Sequence, residues 1–207
     1  QLTGNEANLA NYWNFNEGLL SVAYDKTGNN TGNLQNMEPT LDWKLKNFAD
    51  PCQLTPPNTA CESVLEFDGT NEFITTSASI SAAAGTWEAW IEKDNWNAHN
   101  DDRLFANGIN FGSNNSFYIS LHPSAGLHFR YGGNGQGGNS YIANTITKSL
   151  TAMSWHHIAA TWKYNGSYTT LNIYLDGHLL GTSYAYLLLP DFPVSYLGGD
   201  PLNVKFG

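Results

Sequence analysis

The chain has 207 residues, 14% of them aromatic, with 20 glycines, 8 prolines and a formal net charge of -9. Its 9 lysines and arginines are scattered, which excludes the basic surface that proteins use to hold a nucleic-acid backbone. No apolar stretch approaches the roughly 20 residues needed to cross a bilayer, so we expect no membrane insertion and a chain from which any signal has been removed.

Segments of alternating apolar and polar residues follow one another and predict about a dozen short β-strands. In chain order they are NYWNF, VLEFDG, EFITTS, TWEAWIE, RLFANG, SFYISLH, GLHFRYG, HHIAATWKY, LNIYLDG, HLLGTSY and SYLGG. Turns are explicit at PSAG, at YNGS and at Asp176-Gly177, the favoured two-residue hairpin sequence. Consecutive hairpins make antiparallel sheets, and this many strands need two sheets packed face to face. The sequence therefore predicts a single all-β domain over 1–207, a two-sheet antiparallel β-sandwich.

The only two cysteines, Cys52 and Cys61, flank the irregular, proline-rich stretch DPCQLTPPNTACE. A disulfide between them would close a loop of about ten residues and contribute about 2.5 to 3 kcal/mol in the chain-entropy model. The alternative is two unrelated thiols. Acceptor sequons at Asn29, Asn114 and Asn165 lie in turn-like segments, so we expect a secreted or cell-surface glycoprotein.

Several strands carry polar and aromatic side chains on the face opposite their apolar one. Sugar recognition typically pairs flat aromatic surfaces with amide, carboxylate or guanidinium hydrogen bonds, and loops on a rigid scaffold concentrate binding residues. The glycine-rich segment YGGNGQGGNSY predicts such a loop at the rim of the sandwich. The alternative for each strand residue is an ordinary solvated sheet face. The candidate glycan contacts are Tyr118, His128, Arg130, Tyr131, Asn134, Asn139, Tyr141 and Tyr174.

The stretch SWHHIAATW places two histidines side by side. Neighbouring side chains on a strand point to opposite faces, so His156 and His157 cannot share one metal ion or form one acid–base pair. We expect one imidazole to be packed or hydrogen-bonded inside and the other to face outward. The six histidines have no companion cysteines at zinc-ligand spacing, and no GxSxG elbow occurs, so neither a zinc site nor an organic cofactor is predicted.

The order of motifs ANYWNFNEG, DKTGNNTGNL, LEFDGTNEFI, GTWEAWIE, WHHIAATW, LNIYLDGHLLGT and YLGGD resembles the laminin G-like jelly roll of the concanavalin A-like lectin and glucanase superfamily. The resemblance implies one convex and one concave sheet. The sequence departs from the pattern in two places. Residues at about 40–62 look like a disulfide-stapled insertion. The closing strand expected after LGG is missing, or another part of the assembly supplies it.

Glucanases of that superfamily carry alternating acids on one strand face, and EAWIE offers Glu88 and Glu92 at matching positions. Retaining cleavage needs two carboxyl groups about 5 to 5.5 Å apart. Trp90 occupies the middle position, where its bulk fills the space between the two acids. We therefore expect a protein that is not an enzyme, with glycoside hydrolysis as the minor alternative.

Related sandwiches often hold one structural calcium ion, which is usually coordinated by six to eight oxygen atoms. The matching positions here are Asn16, Glu17, Asp68, Gly69 and Asn71. The alternative for Asp68–Asn71 is a tight turn, for which these residues are well suited.

The sequence as a whole predicts a secreted, non-catalytic recognition module that binds a glycan or an extracellular protein. The alternative is a structural subunit of a surface layer, adhesin or filament in which a strand from a neighbouring copy completes the sandwich.

Overall fold

A computed structural model of the chain describes residues 2–18, 20–44, 64–96, 102–107, 116–122, 126–132, 140–144, 150–192 and 195–199. Within these residues the fold is nearly all β, as predicted, and the one helix, α1 (Pro39–Asp42), is a single turn. No helix in these ranges is long and apolar enough to cross a membrane. The strands are β1 (Val22–Ala23), β2 (Gly32–Gln35), β3 (Trp43–Lys44), β4 (Val64–Leu65), β5 (Phe73–Thr76), β6 (Ala84–Lys93), β7 (Asp102–Asn107), β8 (Ser116–His122), β9 (Gly126–Gly132), β10 (Ser140–Asn144), β11 (Ser154–Tyr164), β12 (Thr169–Leu175), β13 (His178–Ala185) and β14 (Ser195–Leu197).

The strands form a large and a small antiparallel sheet. The large sheet has the order β1-β2-β5-β14-β7-β8-β9-β10, and the small sheet has the order β13-β12-β11-β6. A two-stranded ribbon of β3 and β4 accompanies them. The predicted two-sheet antiparallel sandwich is confirmed.

The core lies between the two sheets and takes alternate side chains from each strand, as the period of two requires. Phe117 of β8 is fully buried at its centre. The rings of Phe105, Phe129 and Trp162 lie 5.9, 5.4 and 4.8 Å from its ring, centroid to centroid. Both sheets therefore meet around one aromatic side chain.

A buried ion pair also joins the sheets at one end of the sandwich. Lys93 ends β6 in the small sheet, and Asp102 begins β7 in the large one. The Lys93 Nζ and Asp102 Oδ2 atoms are 3.2 Å apart, and the Lys93 side chain is 2% exposed. The crossing from one sheet to the other is thus fixed by charge as well as by packing.

The predicted hairpin turns are found where the sequence places them. Asp176 and Gly177 both have positive φ, +49° and +78°, which is the signature of a type I′ turn between β12 and β13. In the turn between β11 and β12, Asn165 Oδ1 accepts hydrogen bonds from the N–H groups of Ser167 and Tyr168. The pairing of His122 with Gly126 confirms the β8–β9 hairpin.

The first predicted strand, NYWNF, is not a strand. It is held instead by the buried carboxylate of Asp25, with one isolated bridge between Trp13 and Asp25. Asp25 Oδ1 accepts from the N–H groups of Tyr12 and Thr27, at 2.9 and 3.0 Å. Asp25 Oδ2 accepts from Asn11 Nδ2, Thr27 Oγ1 and the N–H of Asn30. Burial raises the pKa of Asp25, but these hydrogen bonds outweigh it and leave the pKa below its usual value.

A two-stranded ribbon accompanies the predicted insertion at about 40–62, with β3 near its start and β4 just after its end. Trp43 of β3 lies opposite Leu65 of β4, and the Trp43 Nε1–H group donates to the carbonyl of Leu20 at 2.7 Å. Residues 45–63 lie outside the described residues, and with them Cys52 and Cys61. The disulfide therefore stays a prediction, as does the missing closing strand, because residues 200–207 are also outside the described ranges.

Candidate functional site

The sandwich divides the predicted glycan contacts between opposite sides of the molecule. Tyr118 and Arg130 are cross-strand partners in the large sheet, and His128 lies two residues before Arg130, so the three share the outer face of that sheet. Tyr174 lies on the outer face of the small sheet, next to Ala159 of β11. These residues therefore do not form one binding surface.

Tyr118 is closed off from solvent and is not available as a sugar platform. The guanidinium carbon of Arg103 lies 3.4 Å from the centroid of its ring, and the residue is 4% exposed. Tyr118 also packs in a small cluster with Ala106 and Tyr196 on the outer face of the large sheet. The assignment of Tyr118 to a glycan site is therefore wrong, because a stacked guanidinium covers the ring.

Tyr131 is likewise not a glycan contact. Its side chain is fully buried in the core, where its hydroxyl donates to the carbonyl of Ala82 at 2.9 Å and accepts from the N–H of Leu189. Tyr131 follows the alternation of β9, which places it with Leu127 and Phe129 rather than with the glycine-rich segment that comes after it.

Of the other residues singled out in the sequence, some lie outside the described residues and some lie within them. Asn134, Asn139, Asn114 and residues 133–139 of the glycine-rich segment lie outside the described residues. Tyr141 belongs to β10, an edge strand that the sequence reading missed, where its Cα pairs with that of Arg130. The sequon residues Asn29 and Asn165 are both exposed, and their glycosylation stays a prediction.

The outer face of the small sheet carries a continuous set of aromatic and polar side chains, which we call the Trp90 face. Its residues alternate with those that point into the core, and the strand register places them side by side. They are Thr86, Glu88, Trp90, Glu92, Trp155, His157, Thr161, Lys163, Thr170, Asn172, Tyr174, Thr182 and Tyr184.

Trp90 is the most prominent side chain of this face. It is 54% exposed, although large aromatic residues are usually well buried. His157 lies opposite it on β11, with the two rings 5.3 Å apart and tilted by 48°. The imidazole Nε2 of His157 also lies 3.6 Å from Glu88 Oε2. An indole platform therefore sits beside a carboxylate and an imidazole.

Next to this platform, a row of hydrogen bonds crosses three strands. Asn172 Nδ2 donates to Thr161 Oγ1 at 3.2 Å, and Thr182 Oγ1 donates to Asn172 Oδ1 at 2.7 Å. Because each group positions the next, these polar side chains are already oriented on a rigid sheet.

The Trp90 face opens into a cleft of about 2100 Å³ along β6. Residues 8–16 and 64–65 line it together with β6 residues from both strand faces, among them Glu88 and Trp90 from one and Trp87 and Ile91 from the other. Among the described strands, β6 is the last of the small sheet, and the cleft follows it. This space exceeds the roughly 300–1,000 Å³ of a typical small-molecule site and suits an extended ligand.

His156 lies on the opposite side of β11, where it contacts a carboxylate and a buried tryptophan. Its Nδ1 lies 2.7 Å from Asp176 Oδ2, and its ring packs edge-on against the buried Trp96 at 5.2 Å. Asp176 Oδ1 accepts from the N–H of His157. Burial raises the pKa of Asp176, but the hydrogen bond from His156 leads the effects that leave it lowered. The prediction that one histidine lies inside and the other faces out is confirmed.

A family model of the concanavalin A-like lectin/glucanases superfamily, of the laminin G-like kind, matches residues 67–206. The chain belongs to this superfamily. It includes both lectins without enzymatic activity and glucanases, so membership alone does not decide between binding and catalysis. No curated protein matches the chain.

Solved structures with a similar fold include three at low sequence identity. The Ruminococcus gnavus IT-sialidase CBM40 has a TM-score of 0.44 and 12% identity over 61% of this chain and 70% of that one. A native heptameric SAP-like pentraxin from Limulus polyphemus has a TM-score of 0.40 and 15% identity over 67% and 58%. A Bacillus licheniformis β-glucanase has a TM-score of 0.41 and 13% identity over 99% and 88%.

The residues that the laminin G-like resemblance assigns to calcium make contacts of their own in the described structure. Asp68 Oδ1 accepts from the N–H of Thr70 within a tight turn, and the Asn71 carbonyl accepts from Asn36 Nδ2. Glu17 is buried, with Oε1 3.6 Å from Lys26 Nζ. The described residues contain no group of three or more His, Cys, Asp or Glu suited to a metal ion. Calcium therefore remains only an expectation from the resemblance.

The Asp68 turn instead forms an acidic cluster around Glu72, which is 5% exposed. The N–H of Asp68 donates to Glu72 Oε2. Burial raises the pKa of Glu72 to about 7 despite this hydrogen bond, and the nearby carboxylates of Asp42 and Asp68 add to the rise.

Glu72 is expected to make the domain less stable as pH rises from about 4.5 to about 7. In that range the folded protein binds a proton that the unfolded chain has lost, so ionisation costs up to about 3 kcal/mol of folding free energy. Glu72→Gln keeps a neutral side chain that can accept from Asp68. Urea unfolding should show the stability of the variant relative to the wild type rising from pH 5 to pH 8. An equal gain at both pH values would contradict a titrating Glu72.

Proposed function

We propose that this protein is a non-catalytic module that recognises glycans with the Trp90 face. The observation that carries the proposal is the half-exposed Trp90, held against His157 on a rigid sheet beside an extended cleft. Sugar rings present flat apolar C–H surfaces and hydroxyl edges. An exposed indole can stack on the first, while the oriented Thr161 and Asn172 side chains can hydrogen-bond the second.

The same residues argue for binding rather than hydrolysis. Glu88 and Glu92 share the Trp90 face, but Trp90 stands between them, and their α carbons are about 13 Å apart along the strand. Glu88 is 51% exposed in its side chain and lies near His157, so it is open to solvent and is not enclosed by apolar residues as a catalytic acid usually is.

The proposal is tested with a glycan array probed by the wild-type domain, once with calcium and once with chelator. Binding under both conditions is expected, because the Trp90 face contains aromatic and neutral polar groups that need no ion. Binding that is lost in the presence of chelator would show that recognition depends on a calcium ion and not on the Trp90 face alone. Binding to no glycan under either condition would overturn the proposal.

A second candidate function follows from the edge of β6. Among the described strands β6 is the last of the small sheet and borders the cleft, and the last strand of a sheet can take up a further strand through backbone hydrogen bonds. On this proposal the protein is a subunit of an extracellular filament or surface layer, and a strand of a neighbouring copy adds to β6.

The two candidates differ in oligomeric state. A glycan-binding module should elute as a monomer at micromolar concentration in size-exclusion chromatography with light scattering. A strand-exchanging subunit should form polymers that are visible by negative-stain electron microscopy. A monomer at all concentrations would remove the second candidate.

A further inference from the structure

The charges around Trp90 indicate which class of glycan the cleft would hold. Among the described residues that line the cleft, the charged side chains are Glu88, Glu92 and Lys163, joined by the titratable His157. Glu88 and Glu92 lie two residues on either side of Trp90 on the same face, about 7 Å away along the strand.

The one lysine of this set lies far from the platform. Lys163 is six residues along β11 from His157, which pairs with Trp90, so it stands about 20 Å away. Within the described ranges, the charged groups nearest to the indole are therefore the Glu88 and Glu92 carboxylates, with the His157 imidazole beside them. The net charge of -9 adds a general repulsion of anions.

We infer that the Trp90 face selects oligosaccharides of cationic amino sugars, that is, hexosamines with a free, protonated amine. This inference rests on the proposed glycan function and narrows it. A protonated amine can approach the face of Trp90 as a cation–π partner, while the Glu88 carboxylate neutralises its charge. Uronic, sialylated or sulfated chains bring negative charge to the same two glutamates and are disfavoured.

The test compares three hexamers of similar backbone by calorimetry at pH 5.5: β-1,4-linked glucosamine, its N-acetylated form, and cellohexaose. The amines of the first are weaker bases than a lysine amine, because electron-withdrawing oxygens surround them, and at this pH most of them carry a proton. We expect glucosamine hexamer to bind at least about fivefold more tightly than the N-acetylated hexamer at low salt. The difference should disappear in 0.5 M sodium chloride, because salt screens exposed charges.

The Glu88→Gln/Glu92→Gln double variant separates charge from stacking. It should lose the preference for glucosamine hexamer over the neutral hexamers, and its melting temperature, measured alongside, shows that it is folded. Glu38→Gln, an exposed change outside the cleft, is the matched control and should keep the preference.

The possible outcomes distinguish a failure of the amino-sugar inference from a failure of the proposed glycan-binding function. If the neutral hexamers bind as tightly as glucosamine hexamer, the amino-sugar inference is wrong and the glycan function stands. If the double variant keeps the preference, the two glutamates are not its source, and the inference is again wrong. If none of the hexamers binds and the glycan array is also negative, the proposed function fails as well.

Discussion

Replacing Phe117 with alanine should lower the free energy of unfolding by about 3 to 5 kcal/mol, the usual range for a large aromatic residue removed from a core. Phe117 is fully buried, and its ring contacts rings from both sheets, including Phe105, Phe129 and Trp162. The cavity would lie where the sheets meet, so neighbours from both would lose packing at once. Urea unfolding followed by tryptophan fluorescence measures the change.

The matched control is Tyr186→Ala, which also removes an aromatic ring but from a residue that is 72% exposed. It should change the unfolding free energy by no more than about 0.5 kcal/mol. Equal losses in the two variants would contradict the assignment of Phe117 to the centre of the core.

Replacing Asp25 with asparagine should cost about 2 to 3 kcal/mol, although the two side chains are nearly the same size. Each carboxylate oxygen of Asp25 accepts at least two hydrogen bonds, from donors that include Tyr12 N–H and Thr27 Oγ1–H. Whichever oxygen is replaced by an amide nitrogen, at least two donors then face another donor. Chemical denaturation at pH 7 gives the difference.

The cost of Asp25→Asn should depend on pH. Because the pKa of Asp25 is lower in the fold than the usual aspartate value of about 4, its contribution is complete above about pH 4 and is lost as pH falls through the folded pKa. The gap between wild type and variant should therefore narrow in strong acid. Asp68→Asn, an exposed turn residue, is the control and should cost less than about 1 kcal/mol. A gap that stays constant down to pH 2 would contradict a charged, hydrogen-bonded Asp25.

The alternation of side chains predicted much of this architecture, because a half-buried strand must place every second residue in the core. A period of two puts Ile158, Ala160 and Trp162 on one face of β11, and all three are buried in the core. It also separated His156 from His157. The order of motifs added the superfamily, which the family match over residues 67–206 confirms.

Contacts between distant strands could not be read from the sequence in the same way. The alternation correctly places Tyr118 opposite the core, but the guanidinium that covers it comes from Arg103, next to a register shift between β7 and β8. Similarly, alternation gives each strand two faces without saying which sheet the strand joins. Tyr118 and Tyr174 were therefore grouped together, although they lie on opposite outer surfaces.

The role proposed for Trp90 in the fold differs from the role that the sequence indicated for it. In the sequence it is the bulky residue that separates Glu88 from Glu92. Its role as a platform depends on His157, which is 67 positions away and becomes its neighbour only through the β6–β11 register. The signal available beforehand was the strand pattern TWEAWIE, which places Trp90 opposite the core-facing Trp87 and Ala89.

The central claim is that Trp90 forms the glycan platform, and one calorimetric comparison tests it most directly. The best-bound oligosaccharide from the array is titrated into the wild type, Trp90→Ala and Tyr186→Ala, with melting temperatures measured alongside. Trp90→Ala should weaken binding at least about tenfold, as expected for an aromatic anchor, while Tyr186→Ala binds like the wild type. A folded Trp90→Ala variant with wild-type affinity would contradict the claim and place the binding site elsewhere on the sandwich.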